Sequence, residues 1–311
     1  MDLKKITGTF LDEITWDIPS QNWSRADWRR EFDTMKDAGI DTVIIIRMGL
    51  REQAIYPSEV LGIKEGPDFA QLFLDEAQRC GMKLFFASYV DKTSIDYWND
   101  WEGDWELNKK ILPEIMNRYG DHPAFQGWYM ASETCIASVG AIEMYSRVTG
   151  LMKELSPEKQ VLISPYYPSW VWREGNRQER HRRFVQDWRT ILSRAADTID
   201  ICAFQDGSCT YEMNKSETFE LEDYLKEVYE LSQEFNLTNW TNIESFGRRY
   251  HIRFPPIDWR ILKRKMEMAS PYSEKLITFE FSHFMSPNSM YPSARKLYER
   301  YMENIVQKKP Y

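Results

Sequence analysis

Residues 24–47, SRADWRREFDTMKDAGIDTVIIIR, contain one complete change of hydrophobic period. Ser24 stands where a helix N-cap belongs, and Trp28, Phe32 and Met35 recur at helical spacing until Gly39 ends the pattern. After a short turn, Val43 to Ile46 is apolar on both faces, which is how a strand covered on two sides reads. PDFAQLFLDEAQRCGMKLFF (67–86) repeats the design, with Gly81 as the stop. Helix, glycine, turn and buried strand make a βα repeat.

Working outward, the chain holds short β-rich runs at 6–12, 41–47, 83–89, 125–132, 161–167, 199–205, 239–245 and 276–283. Their spacing of about forty residues is one strand plus one helix with loops. Eight such units close into a (β/α)8 TIM barrel, read here as a single domain over residues 1–311. An open doubly wound sheet would carry a glycine-rich phosphate turn after its first strand, and ITGTFLDEITW (6–16) has none.

The net charge of −8 argues against nucleic acid, whose binding draws on Lys and Arg. The mixed-sign cluster WREGNRQERHRRF (172–184) reads as a solvated helix face. No apolar run is long enough for a bilayer, and MDLKKITGTFLDE lacks the pattern of a secretory signal, so no membrane partner and a cytoplasmic location are expected. The oligomeric state is left open. Four scattered cysteines suit reduced thiols, and the four histidines show no HxH or HExxH spacing, so neither metal nor cofactor is expected. Cys135 lacks a candidate partner histidine for nucleophilic work. Neither FGRRYHIRFPP (246–256) nor HFMSPNSMYP (283–292) offers a phosphate-binding turn.

Catalytic groups of such barrels gather at the carboxyl ends of strands. There the chain places Asp12 and Glu13, Arg47, Tyr89 and Asp91, Glu133, Tyr166, Asp206, Asn242 and Glu244, and finally Glu280 and His283. In GWYMASE (127–133), alternation sets Gly127, Tyr129, Ala131 and Glu133 on one face; in NWTNIE (239–244) it aligns Trp240, Asn242 and Glu244. Two carboxylates converging in an aromatic cleft are what glycoside hydrolysis requires. The other strand-end groups, Glu13, Arg47, Tyr89, Asp91, Tyr166, Asp206, Asn242, Glu280 and His283, are expected to bind a carbohydrate. With 12 Trp, 17 Tyr and 16 Phe the chain is rich in rings, and Trp16, Trp98 and Trp101 lie where they can stack on a sugar.

Acids ending strands four and seven resemble the clan of retaining glycoside hydrolases with acid/base and nucleophile glutamates at those ends. More closely, GTFLDEITWD (8–17), WRREFDTMKDAGIDTVIIIR (28–47) and GWYMASE resemble an uncharacterised family of glycoside-hydrolase-like barrels of gut bacteria. The resemblance implies Glu133 as acid/base, Glu244 as nucleophile, carboxyl groups about 5–5.5 Å apart and retention of configuration. Two departures stand out. Ser132 occupies the place of the clan's asparagine, and FSHFMSPN (281–288) offers His283 and Phe284 instead of a strand-eight tryptophan. An inverting pair of Asp206 with Glu133 would need a separation of about 6.5–9.5 Å. A barrel that binds glycans without cleaving them is the rival class, marked by a basic residue neutralising either acid and no room for a sugar.

Overall fold

The computed structural model describes residues 3–15, 18, 20–91, 101–166, 177–207, 218–247 and 254–307. Eight parallel strands form a closed barrel: β1 (Ile6–Leu11), β2 (Thr42–Ile45), β3 (Lys83–Ala87), β4 (Phe125–Met130), β5 (Gln160–Ile163), β6 (Ile201–Gln205), β7 (Thr238–Glu244) and β8 (Lys275–Phe279). β8 pairs with both β7 and β1 to close it. Around the strands lie α1 (Arg25–Ala38), α2 (Phe69–Cys80), α3 (Trp101–Tyr119), α4 (Val139–Leu155), α5 (Arg177–Ala195), α6 (Thr218–Glu234), α7 (Trp259–Ala269) and α8 (Pro292–Tyr301). This is the (β/α)8 barrel that the repeat predicts. Among the described residues, no helix is long and apolar enough to cross a membrane.

The punctuation behaves as its chemistry requires. Ser24 and Asp27 form a reciprocal capping box, and Gly39, at φ 90°, ends α1 in the left-handed conformation. Trp28, Phe32 and Met35 are buried. Asp68 caps α2, and Gly81 at φ 73° ends it. Cys80, Cys135 and Cys202 are buried free thiols; Cys209 lies outside the described residues.

The barrel interior is filled with rings. Phe10 meets Tyr129 edge to face with centroids 5.1 Å apart, and Phe85 meets Trp240 at 6.5 Å. Gly127 makes room for this packing: a Cβ there would lie 2.2 Å from the Phe85 ring and 2.6 Å from the Gln160 carbonyl oxygen. Gly127→Ala is therefore expected to destabilise the fold by about 1–3 kcal/mol, the usual cost of overpacking a filled core. A urea-denaturation midpoint equal to that of the wild type would contradict this.

Candidate active site

A cavity of about 200 Å³ opens at the carboxyl ends of the strands, lined by Phe10, Asp12, Thr15, Ile46, Arg47, Glu133, Gln205, Asn242, Glu244, Phe246 and Phe279. Four sequence candidates, Glu133, Glu244, Arg47 and Asn242, thus share one space. They come from β4, β7, β2 and β7 respectively, or the turns just beyond.

Glu133 rests on the barrel's aromatic filling. The Tyr129 hydroxyl donates to its Oε1 at 3.3 Å, as the alternation of GWYMASE predicts. Burial pushes the Glu133 carboxyl above the ordinary carboxylate range, while the Arg47 charge and hydrogen bonds from Gln205 and Tyr129 pull the other way. The net direction is upward, toward the protonated form. Arg47 donates through Nη1 to Thr15 Oγ1 at 2.8 Å and forms no ion pair with Glu133. Glu244 is buried, and its backbone carbonyl accepts from Lys265 Nζ on α7.

Parity separates the residues that reach the cavity from their neighbours. Gln205 is in register with Asn242 and shares its face, so Gln205 enters the cavity. Asp206 falls on the opposite face, where it is 0 % exposed and lies 2.8 Å from Lys265 Nζ. The expected role of Asp206 in binding sugar or in an inverting pair is corrected accordingly, because a carboxylate paired under α7 does not line the cavity. On β1, Phe10 and Asp12 face inward, and Glu13 has the other parity. Glu13 instead accepts from Ser20 Oγ, beside Glu280, Asp12 and His283.

The end of β8 is displaced by one position in the same way. Phe279 lines the cavity, whereas Thr278 Oγ1 donates to the Ile243 carbonyl and Ser282 Oγ donates to Glu31 on α1. Glu280, expected to point inward, is buried behind the wall, accepting from the Asp12 amide at 2.8 Å and bonding His283 Nδ1. Glu280 and His283 thus brace Asp12 without lining the cavity. The peptide between Phe279 and Glu280 is cis.

The remaining candidates stand away from the cavity. Tyr89 is buried, donates its hydroxyl to the Arg51 carbonyl at 2.8 Å, and is pushed up to about 12 by burial and by Asp91. Asp91 is half-buried, its amide 3.4 Å from Asp104 Oδ2. Trp101 opens α3 with the Arg147 guanidinium 5.1 Å from its ring. Tyr166 meets Cys135 Sγ at 3.2 Å, and burial lifts that thiol to about 11, far from a reactive thiolate. Trp16 and Trp98 lie outside the described residues.

The sequence reading left out Asp12, Thr15 and Gln205 as binding groups and Phe10, Ile46, Phe246 and Phe279 as walls. Asp12 and Gln205 carried a usable signal, since each ends a β-rich run and Asp12 follows Phe10 at the strand period. Ser132 is buried with its carbonyl accepting from Tyr145 at 2.6 Å, and the carboxamides in the cavity are those of Gln205 and Asn242. Among the described residues, no group of three or more His, Cys, Asp or Glu is placed to hold a metal ion.

Glu13 gives the fold a pH dependence. Burial lifts its carboxyl from 4.5 to about 8, and Glu280 and Asp12 add to the rise. Between those values the unfolded chain has lost a proton that the native state keeps, so stability falls as pH rises through the window. Glu13→Gln is expected to flatten that decline in thermal midpoints measured across the same range. An unchanged slope would remove Glu13 as its source.

A family model described as "Domain of unknown function (DUF4434)" matches residues 6–291. No curated protein matches the chain. Among solved structures, one from Bacteroides thetaiotaomicron, described as a "putative alpha-L-fucosidase", is 36% identical, with a TM-score of 0.86 over 97% of this chain and 94% of that one. An intracellular xylanase of Thermoanaerobacterium saccharolyticum is similar at 10% identity and a TM-score of 0.54, covering 89% of this chain and 85% of its own. A beta-D-glucuronidase of Dictyoglomus thermophilum is similar at 14% identity and 0.60, covering 96% and 51%. The last two share the fold.

Proposed function

We propose that this chain, which belongs to the DUF4434 family, is a glycoside hydrolase acting on a short oligosaccharide or glycoside, with Glu133 as acid/base and Glu244 as nucleophile. One observation carries the reading: the glutamates ending β4 and β7 line the same cavity, and burial holds Glu133 toward its protonated form. In this reading Glu133 gives its proton to the leaving oxygen while ionised Glu244 attacks the anomeric carbon. Water, deprotonated by the same Glu133, then releases the sugar with retained configuration.

Two features support an enzyme over a binding scaffold. The guanidinium of Arg47 does not pair with Glu133, and the cavity has open space beside both acids. The description of the Bacteroides relative and the glycosidase fold of the others point to the same class of chemistry. The test is hydrolysis of nitrophenyl glycosides in both anomeric series, neutral hexosides, pentosides and 6-deoxyhexosides included, with the first product's anomer read by NMR. Turnover with retention is expected. Absence of turnover across that panel and a matching oligosaccharide set would overturn the assignment.

A further inference from the structure

Asp12 and Asn242 each carry a half-used polar group. Asp12 Oδ1 is saturated, accepting from the amides of Ile14 at 3.1 Å and Thr15 at 2.9 Å and from Thr15 Oγ1 at 2.9 Å. Its Oδ2 has no hydrogen-bond partner although the residue is 2 % exposed and lines the cavity. Asn242 is also 2 % exposed, and its Oδ1 is likewise unpartnered. The amide's orientation follows from its neighbour. Ser164 Oγ spends its proton on the Ala203 carbonyl at 2.8 Å, so it can only accept from Asn242 Nδ2, at 3.5 Å, which leaves Oδ1 to the cavity.

The cavity therefore presents two buried acceptors that need donors. Among the described residues, the lining also holds a buried, unpartnered donor, Arg47 Nε, while Nη1 is held by Thr15. Asp12, Glu133 and Glu244 also give the lining three carboxyl groups against one guanidinium. A uronate keeps ring hydroxyls but adds a carboxylate, bringing negative charge to a lining in which carboxyl groups outnumber the one guanidinium. A neutral ring brings hydroxyl donors without that charge.

We infer that Asp12 is a specificity-determining residue which, with Asn242, reads the hydroxyls of a neutral sugar and excludes the corresponding uronic acid. The turnover arm of the test rests on the glycosidase reading, and the binding arm does not. Titration calorimetry would compare galactose, fucose, glucose and xylose with galacturonate and glucuronate, on wild type and Asp12→Asn. The substitution keeps Oδ1 and the shape, and a thermal midpoint checks the fold. At least one neutral sugar should bind about tenfold or more tightly than the uronates, and Asp12→Asn should lower that affinity, and kcat/KM on the matching nitrophenyl glycoside, by about 10- to 100-fold, the weight of a hydrogen bond to a charged group.

A deoxy analogue lacking the contacted hydroxyl separates reading from mere packing, since wild type should lose affinity with it and Asp12→Asn should lose no more. Uronates bound as tightly as neutral sugars, an Asp12→Asn variant equal to wild type, or no sugar bound at all would overturn the inference. Asp12-dependent sugar binding without hydrolysis would uphold it and sink the glycosidase reading. Hydrolysis indifferent to Asp12→Asn would do the reverse.

Discussion

Glu244→Gln will reduce turnover on the order of 10⁴-fold or more, a barrier increase of about 5.5 kcal/mol. The amide is isosteric, so the buried side chain stays packed where it is, but it cannot form the covalent glycosyl intermediate. Glu133→Gln should behave differently. General acid catalysis is worth about 10²–10⁴-fold, and that loss should shrink on dinitrophenyl glycosides, whose leaving group departs without a proton. The loss in Glu244→Gln relative to wild type should stay large on good and poor leaving groups alike. Steady-state rates on a leaving-group series distinguish the roles, and turnover persisting in both variants would sink the pair. The pH profile carries the sign of the shift: because burial raises the Glu133 carboxyl, the rate of wild type should fall on the alkaline side as that proton is lost, and Glu133→Gln should lack that limb.

The second large effect is on stability. Lys265→Met should destabilise the protein by about 3–5 kcal/mol, the range found when one partner of a buried ion pair is removed. Lys265 is 2 % exposed and Asp206 is 0 % exposed, so neither charge is screened by water. The methionine fills the volume of the lysine stem but removes the ammonium that contacts the Asp206 carboxylate and donates to the Glu244 carbonyl. Adding Asp206→Leu should recover much of the loss, because two apolar groups replace two charges. Chemical-denaturation midpoints of both singles and the double close the cycle, and an additive double would refute the coupling.

The pair also explains which part of the site was legible. The barrel could be read because each repeat states its own boundary: Gly39 and Gly81 stop helices, and the runs behind them are apolar on both faces. Glu133 and Asn242 could be read because each lies within reach of an alternating run whose inward face is marked by small or aromatic residues. Beyond the last paired residue that logic fails, since a slip of one position exchanges the cavity for the helix layer. Glu13, Asp206 and Glu280 each sit one place from a residue that lines the cavity, namely Asp12, Gln205 and Phe279. Sequence shows the acid at the strand end but not the lysine on a distant helix, or the histidine one turn on, that claims it. Tyr89 failed for another reason: a strand-end tyrosine looks like a ligand group until its hydroxyl is found tied to the Arg51 carbonyl.

The ring-filled interior of the barrel has a consequence for traffic. With Phe10 against Tyr129 and Phe85 seated over Gly127 against Trp240, rings fill the barrel beneath the cavity, which opens at the carboxyl ends of the strands. Arriving glycoside, departing alcohol and incoming water would then share that side of the barrel. In a two-step reaction the alcohol leaves before water reaches the sugar still held on the protein, so an alcohol that lingers, or one supplied in excess, competes with water for the same seat. In the proposed two-step reaction, methanol added to the assay should therefore appear in the product as methyl glycoside.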